Sequence, residues 1–300
     1  MTIRWLVIST LSFVCVLAAP DRTTAQIVHA TGQNVVPVYE GWERNPDGTF
    51  TMVFGYFNRN LEEQPNIPVG PNNSFEPGDP DRGQPTHFYP RRQQFMFKVQ
   101  VPKDWGNKEL VWTLTSHGRT EKAYGTLLPI WQIGPLVYEQ NRSTTLLHHK
   151  DEPINQPPSV TLLGAPQATL TLPETLTLTV SVADDELPAQ APRPRRREAD
   201  ANADARLPVS PMTQAVVRID PTWRLGVIWI HYRGPGTVAF EPMRQPIAEG
   251  KGKTGQAVTR ASFSEPGTYI LRAYADDGVL MSSVDATVVV KPPATGSPQR

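Results

Sequence analysis

The sequence predicts an all-β protein made of two β-sandwich domains. Proline accounts for 31 of the 300 residues, about twice its usual share of roughly 5%. Proline breaks helix interiors, whereas the frequent valine and threonine residues suit strands. Short stretches of alternating hydrophobicity recur between Gly, Pro and Asn turn signals. A chain of 300 residues corresponds to about two domains.

Residues 1–25 are predicted to form a secretory signal peptide. Arg4 supplies a positive start, Trp5–Ala19 is an apolar run of about 15 residues, and Thr23–Ala25 is a small-residue cleavage site. The run is shorter than the roughly 20 apolar residues that span a bilayer. We therefore expect a periplasmic or extracellular chain that begins at Gln26 and has no membrane span, with an uncleaved anchor as the alternative.

The only cysteine, Cys15, lies inside this apolar run. A mature chain that begins after the run has no disulfide, no cysteine zinc ligand and no thiol nucleophile. An exported protein without disulfides fits a bacterial cell envelope better than a eukaryotic secretory pathway.

Residues 26–141 are predicted to form the first sandwich. Two strands, Val36–Trp42 and Thr49–Phe57, flank the turn sequence Asn-Pro-Asp-Gly. Gln94–Val101 alternates with period 2, which places Phe95, Phe97, Val99 and Val101 on one face. The remaining strands of this domain are predicted at Leu110–Thr115 and Lys122–Leu128.

A long proline-rich loop, residues 58–92, separates the second and third strands. Loops of this length are uncommon in compact domains and are often functional or disordered. Four aromatic residues argue against plain disorder, because such residues usually anchor a loop to a surface. They are Phe75, His87, Phe88 and Tyr89.

Residues 142–158 are predicted to be a linker, and residues 159–291 form the second sandwich. Residues 186–211 within it contain almost no large apolar side chain, so we expect a disordered insert. Residues 292–300 form a loose tail. The predicted strands of this domain are Thr169–Leu172, Thr175–Val182, Gly226–Tyr232, Thr237–Glu241, Ala257–Phe263, Thr268–Ala275 and Val284–Val290.

The second domain resembles bacterial extracellular immunoglobulin-like domains of the PKD-like kind. Gly234–Val238, Ala261–Tyr269 and Leu271–Gly278 carry the resemblance, which ends in an alternating valine strand. It implies a core position for Trp229 and a tyrosine corner at Tyr269. The motif Trp-Asp-Phe-Gly-Asp-Gly of typical PKD domains is absent, and the resemblance implies a fold rather than a function.

The first domain also resembles a known group. The segments Ile67–Phe75 and Asp81–Phe88 are similar to segments of exported proteins of environmental bacteria. That resemblance implies no activity.

Motifs that would indicate an enzyme are absent. The chain contains neither a His-Glu-x-x-His zinc motif nor a Gly-x-Ser-x-Gly nucleophile elbow. His148 and His149 are adjacent in the linker and read as solvated, while Glu76, Asp79 and Asp81 are separated by Pro and Gly in a rigid turn. We expect no catalytic activity and no cofactor.

Carboxylates at two strand ends suggest one metal site. In an immunoglobulin-like sandwich these two ends lie together, so like charges would crowd there. Calcium could offset them with oxygen ligands, or the arginines of residues 193–197 could fold back onto them. The candidate ligands are Asp184, Asp185, Asp276 and Asp277, with Glu186 beside them.

A binding role is the remaining prediction. Four aromatic residues near strand ends or turns are expected to be exposed and could stack on sugars or anchor a partner protein, with a core or rim position as the alternative. They are Trp42, Trp105, Trp131 and Tyr138. Zero net charge, from 29 basic and 29 acidic residues, argues against nucleic acid. We therefore expect a binding or structural module whose partner is a protein or polysaccharide of the envelope. The alternative is a carbohydrate-binding or hydrolytic accessory protein.

Overall fold

The computed structural model describes residues 29–142, 155–187, 217–220, 223–247 and 254–293. Within these ranges the chain is almost entirely β-structure, so the predicted all-β sandwich fold is confirmed. The predicted signal peptide, most of the linker, nearly all of the 186–211 insert and most of the tail lie outside the described residues.

The N-terminal sandwich pairs two three-stranded sheets, ordered β1-β2-β4 and β3-β5-β6. A 3₁₀ turn, Pro129–Trp131, and a short helix, α1 (Pro135–Arg142), follow the last strand. The strands are β1 (Val35–Arg44), β2 (Phe50–Asn58), β3 (Asn73–Glu76), β4 (Arg91–Val101), β5 (Leu110–Ser116) and β6 (Arg119–Gly125).

The C-terminal sandwich consists of a four-stranded sheet, ordered β11-β13-β9-β7, and a five-stranded sheet, ordered β12-β10-β14-β15-β8. The last strand, β15, pairs in parallel with β8. The strands are β7 (Ser159–Leu163), β8 (Gln167–Thr171), β9 (Leu176–Ala183), β10 (Gly226–Arg233), β11 (Val238–Glu241), β12 (Arg244–Pro246), β13 (Thr254–Phe263), β14 (Gly267–Asp276) and β15 (Met281–Lys291).

The features implied by the immunoglobulin-like resemblance are present. Trp229 is buried in the sandwich interior, with its ring stacked 6.5 Å from that of Phe240. The Tyr269 hydroxyl donates to the Glu265 carbonyl at 2.7 Å, which is the bond of a tyrosine corner. Gly278 has the positive φ, 94°, expected of the tight hairpin.

The predicted orientation of one residue in β4, Phe95, is wrong. The alternation of β4 placed Phe95 beside Phe97, but Phe95 packs with Ile133 and Tyr138 in a separate small cluster. Phe95 adopts a left-handed φ of 54°, and the pairing of β2 with β4 shifts register at this point. Three residues of β4, 94–96, lie opposite the single residue Gly55 of β2. Phe95 therefore leaves the predicted face, while Met96 and Phe97 both lie in the main core.

One of the two main apolar cores, called the shared core below, contains residues of both sandwiches, while the other lies inside the C-terminal sandwich. Along β10, Val227 and Trp229 face the interior of the C-terminal sandwich, because neighbouring side chains of a strand point to opposite faces. Ile228, Ile230 and Tyr232 face outward and belong to the buried cluster of the N-terminal sandwich. The outer face of an immunoglobulin-like sheet is therefore covered by the other half of the chain.

The shared core predicts that Ile230→Ala destabilises the whole molecule. Removing this fully buried side chain leaves a cavity and should cost about 2–5 kcal/mol. Calorimetry of the unaltered protein should show one unfolding transition rather than two. The control Val258→Ala, at an exposed site of β13, should change stability by less than about 0.5 kcal/mol. Two independent transitions, or equal effects of the two variants, would contradict a shared core.

Candidate functional site

The long loop closes over one end of the C-terminal sandwich. The sequence predicts that its aromatic residues anchor it to a surface. Three of them, Phe75, Phe88 and Tyr89, are instead buried in the shared core. The loop also contains β3, a strand that the sequence analysis missed, which pairs with β5. The loop is therefore an ordered part of the sandwich.

Backbone hydrogen bonds join the loop to the end of β10. The N–H groups of Thr86 and His87 donate to the Tyr232 carbonyl at 3.1 and 3.4 Å. The Tyr232 hydroxyl donates in return to the Gly83 carbonyl. The His231 N–H donates to the Tyr89 hydroxyl at 2.9 Å. These bonds satisfy backbone groups at a strand end that would otherwise lack partners.

An ion pair reinforces the same contact. The Arg233 guanidinium donates to both carboxylate oxygens of Asp81, at 2.9 and 2.7 Å, and its Nε donates to the Gln84 carbonyl at 2.7 Å. Bidentate pairs of this kind are stronger and more directional than single contacts. The hydrogen bonds from Arg233 hold the pKa of Asp81 below its usual range.

Two imidazole rings meet where the loop crosses β10. The rings of His87 and His231, called the histidine pair below, stack with centroids 4.3 Å apart and planes 23° apart. Both side chains are buried, and neither ring nitrogen of His231 has a hydrogen-bond partner. Burial lowers the pKa of His231 to about 4, and burial together with the neighbouring imidazole lowers that of His87 to about 3. Both rings are therefore neutral at pH 7.

The hydrogen bonds of His87 define its tautomer. Asn66 Nδ2 donates to the Gly236 carbonyl at 2.7 Å, so Asn66 Oδ1 is the atom that faces His87 Nδ1, at 2.7 Å. Nδ1 of His87 must therefore carry the proton. His87 Nε2 lies 3.0 Å from Gln64 Oε1. A neutral ring accepts at Nε2, so the Gln64 amide must turn to present its NH₂ group there.

The four candidate calcium ligands lie at strand ends, and each already accepts hydrogen bonds. Asp184 accepts from the Glu186 N–H, and Asp185 accepts from the N–H groups of Gln156 and Leu187. Asp276 accepts from the Gly278 N–H. Asp277 accepts from Val279 and Leu280 and from the Asn155 amide. Burial raises the pKa of Asp277 to about 7 and also raises that of Asp184.

The charge that compensates this acidic end comes from an unexpected residue. Arg224 approaches Asp184 at 3.4 Å, whereas the arginines of residues 193–197 lie outside the described residues. Within the described ranges, no group of three or more His, Cys, Asp or Glu side chains could hold a metal ion. Calcium binding by Asp184, Asp185, Asp276 and Asp277 stays a prediction.

Three of the four aromatic residues expected near the surface are buried. Trp42, Trp105 and Tyr138 lie in apolar clusters, so they are core residues and the expectation of exposure was wrong for them. Their polar atoms have partners: Trp42 Nε1 donates to the Leu128 carbonyl, Trp105 Nε1 to the Lys108 carbonyl, and the Tyr138 hydroxyl to Glu43. Only Trp131 is exposed.

Trp131 belongs to an apolar ridge that projects into solvent. The ridge consists of Leu128, Ile130, Trp131 and Leu136, which expose 56%, 87%, 45% and 56% of their surface. The sequence from Ala123 to Tyr138 contains no Asp, Glu, Lys, Arg or His. The other large apolar residues exposed in the described ranges lie singly on four different strands: Tyr124, Leu163, Val258 and Val289.

The ridge is fixed to the edge of β1. The Ile133 N–H donates to the Trp42 carbonyl at 2.9 Å, and the Tyr39 hydroxyl donates to the Thr126 carbonyl at 2.6 Å. Gly41 permits this approach: its φ is 136°, and a Cβ there would lie 2.5 Å from both the Trp131 carbonyl oxygen and Ile133 Cγ2. The exposed side chains therefore project from a segment held by strand backbone.

Sequence signals existed for some of these features. The charge-free stretch around Trp131 is visible in the sequence, and so is the continuous apolar run of β10, which is typical of a strand buried on both faces. The pairing of His87 with His231 has no local signal, because the two residues are far apart in the chain and come together only through docking of the loop.

No family model and no curated protein matches this chain. Among solved structures it is similar to the PKD domain of human KIAA0319, with a TM-score of 0.23 and 15% identity over 52% of this chain and 100% of that one. It is also similar to fibronectin(III)-like modules of Clostridium thermocellum CbhA (TM-score 0.22, 10% identity, 89% and 99% covered). Domains 4 and 5 of the S-layer protein SbsC give a TM-score of 0.23 and 9% identity, with 86% and 98% covered. Scores this low carry no functional inference.

The calcium hypothesis predicts a calcium-specific rise in melting temperature. An ion present at about 100 times its Kd stabilises the folded state by about 2.7 kcal/mol, or roughly 5–10 °C in a protein of this size. EDTA should reverse the rise, and the double substitution Asp184→Asn with Asp277→Asn should abolish it. Asp104→Asn, at an exposed site, is the matched control. Equal melting temperatures in calcium and in EDTA would rule the site out.

Proposed function

We propose that this protein is an exported, non-enzymatic binding module of the bacterial cell envelope, and that the apolar ridge binds a partner protein. The exposure of Leu128, Ile130, Trp131 and Leu136 in one short segment carries the proposal. Exposed apolar residues scattered singly over a surface are ordinary, whereas a concentration of large ones in one segment marks interaction sites. A rigid backbone lowers the entropy that such a surface loses on binding.

The chemistry of the ridge favours a protein over a sugar. Three of its four side chains are aliphatic, and sugars are bound mainly by stacking on aromatic rings. The absence of charge from residue 123 to residue 138 matches the centre of a protein interface, where charged residues are depleted. The expected partner surface is therefore apolar and uncharged.

The burial of several perturbed titratable groups agrees with a non-enzymatic role. Among the groups with strongly shifted pKa, His87, His231 and Asp277 are buried, where a substrate would not reach them. No helix in the described part of the chain is long and apolar enough to cross a membrane. The predicted signal peptide supports export.

Site-specific photo-cross-linking in the native host tests the ridge. A photoreactive residue at position 130 should give one discrete protein adduct, whereas the same residue at position 103, an exposed loop site, should give none. Trp131→Ser and Leu136→Ser should each reduce the adduct at least tenfold, because truncating a central anchor costs about 2 kcal/mol or more.

Two glycine substitutions test whether binding depends on the position of the ridge as well as on its side chains. Gly41→Ala forces residues 131–133 away from β1, so adduct formation should fall although every ridge side chain is retained. Gly134→Ala, where a Cβ meets no atom within 4 Å, should leave it unchanged. Equal adducts from positions 103 and 130 would overturn the proposal. Loss of binding to envelope polysaccharide on Trp131→Ser, but not on Leu136→Ser, would favour the carbohydrate alternative.

Export is tested separately. Fractionation of the native host should place the protein in the periplasm or the medium, and N-terminal sequencing should begin at Gln26. A cytoplasmic chain beginning at Met1 would contradict export and leave the cross-linking result to be interpreted by itself.

A further inference from the structure

The histidine pair lies where the long loop is attached to the C-terminal sandwich. It lies between the long loop and β10, beside the bonds from Thr86 and His87 to the Tyr232 carbonyl. The same crossing includes the His231 N–H bond to the Tyr89 hydroxyl. Repulsion that separates the two rings would therefore also strain the hydrogen bonds that join the loop to the C-terminal sandwich.

The surroundings of the pair offer little to a positive charge. Tyr89 packs edge-on against His87 at 4.9 Å, and Tyr269 lies 5.4 Å from His231. Backbone groups of Arg233 and Gly234 lie close enough to His231 to favour its charged form, although neither ring nitrogen has a partner at hydrogen-bond geometry. A buried imidazolium here would therefore face neutral amide and backbone groups rather than an opposite charge.

The charged groups nearby do not supply that opposite charge. Both carboxylate oxygens of Asp81 are bonded to Arg233, and Arg244 adds positive potential near Tyr89. Glu265 lies at the rim beside Gly236 and acts on Tyr269. One protonated ring would also lie 4.3 Å from the other, so a second proton would meet a like charge.

We propose that the histidine pair is a pH-sensitive latch, which holds the long loop on the C-terminal sandwich at neutral pH and releases it in mildly acidic conditions. Released rings are solvated and bind protons with a pKa of about 6.5, whereas in the closed contact they bind protons only below about pH 4. The contact is therefore fully stable above about pH 6.5 and weakens as the pH falls.

The size of the effect follows from proton linkage. Each histidine that is neutral when closed and titrates normally when released shifts the opening equilibrium tenfold for each pH unit below 6.5. At pH 5 this is roughly 30-fold for one ring and about 1000-fold for the pair. Asp277 acts in the opposite direction between about pH 4 and pH 7, because its raised pKa favours folding at the acid end. The pH profile of overall stability is thus a poor test, and a local measurement is needed.

Hydrogen exchange on the full chain provides that measurement. Amide protection, corrected for intrinsic exchange, should fall from pH 7 to pH 5 in peptides covering residues 83–89 and 229–236, while peptides from β2 keep theirs. His231→Phe should remove roughly 30-fold of the pH dependence, because phenylalanine does not titrate. The substitution breaks no hydrogen bond at ordinary geometry, since neither ring nitrogen of His231 has such a partner. His117→Gln, at a half-exposed histidine paired with Glu63, is the matched control and should behave like the unaltered protein.

Three results would overturn the latch. They are parallel loss of protection in β2, equal protection at both pH values, and an unchanged pH dependence in His231→Phe. Should that variant fail to fold, NMR titration of the unaltered protein gives the answer, since both ring pKa values must lie below about 5. A ring that titrates near 6.5 in the folded state would equally exclude the proposal.

Discussion

The burial of the outer face of β10 and β14 is the contact on which the rest of this structure depends. Ile228, Ile230, Tyr232 and Tyr274 turn their side chains away from their own sandwich and into the core of the other. The Tyr274 hydroxyl also donates to the Met96 carbonyl at 2.7 Å within that core. Without the N-terminal half, the five-stranded sheet would expose an apolar face. Without the C-terminal half, the N-terminal core would lose one of its walls.

The long loop completes this contact at its polar end. Its prolines restrict the unfolded chain and so lower the entropy lost on ordering. The loop supplies hydrogen-bond acceptors where β10 leaves the sheet: the Asp81 carboxylate and the Gln84 backbone carbonyl both accept from Arg233. An apolar surface and a polar edge thus act together, the first through buried area and the second through directional bonds. The histidine pair lies at the boundary between the two.

Local pattern was sufficient to predict most strands and insufficient to predict their partners. Leu110, Trp112 and Leu114 alternate in the sequence and are fully buried. Phe95 broke the same rule because the register of β4 against β2 shifts at this point, and local alternation does not show such a shift. Trp42 and Trp105 looked exposed because strand ends usually are, but here later segments of the chain accept their indole N–H bonds. The docking of the sandwiches had a signal in the unbroken apolar run of β10, yet that run does not specify which surface covers it.

Relative motion of the two sandwiches is the most direct test of this account. Nitrogen-15 relaxation of the intact chain at pH 7 would measure rotational tumbling separately for amides of β2 and of β15. A shared core predicts one rotational correlation time for both strands, equal to that of a single rigid body. Shorter and unequal correlation times would mean that the sandwiches move independently, and would contradict the contact on which the structure is argued to depend.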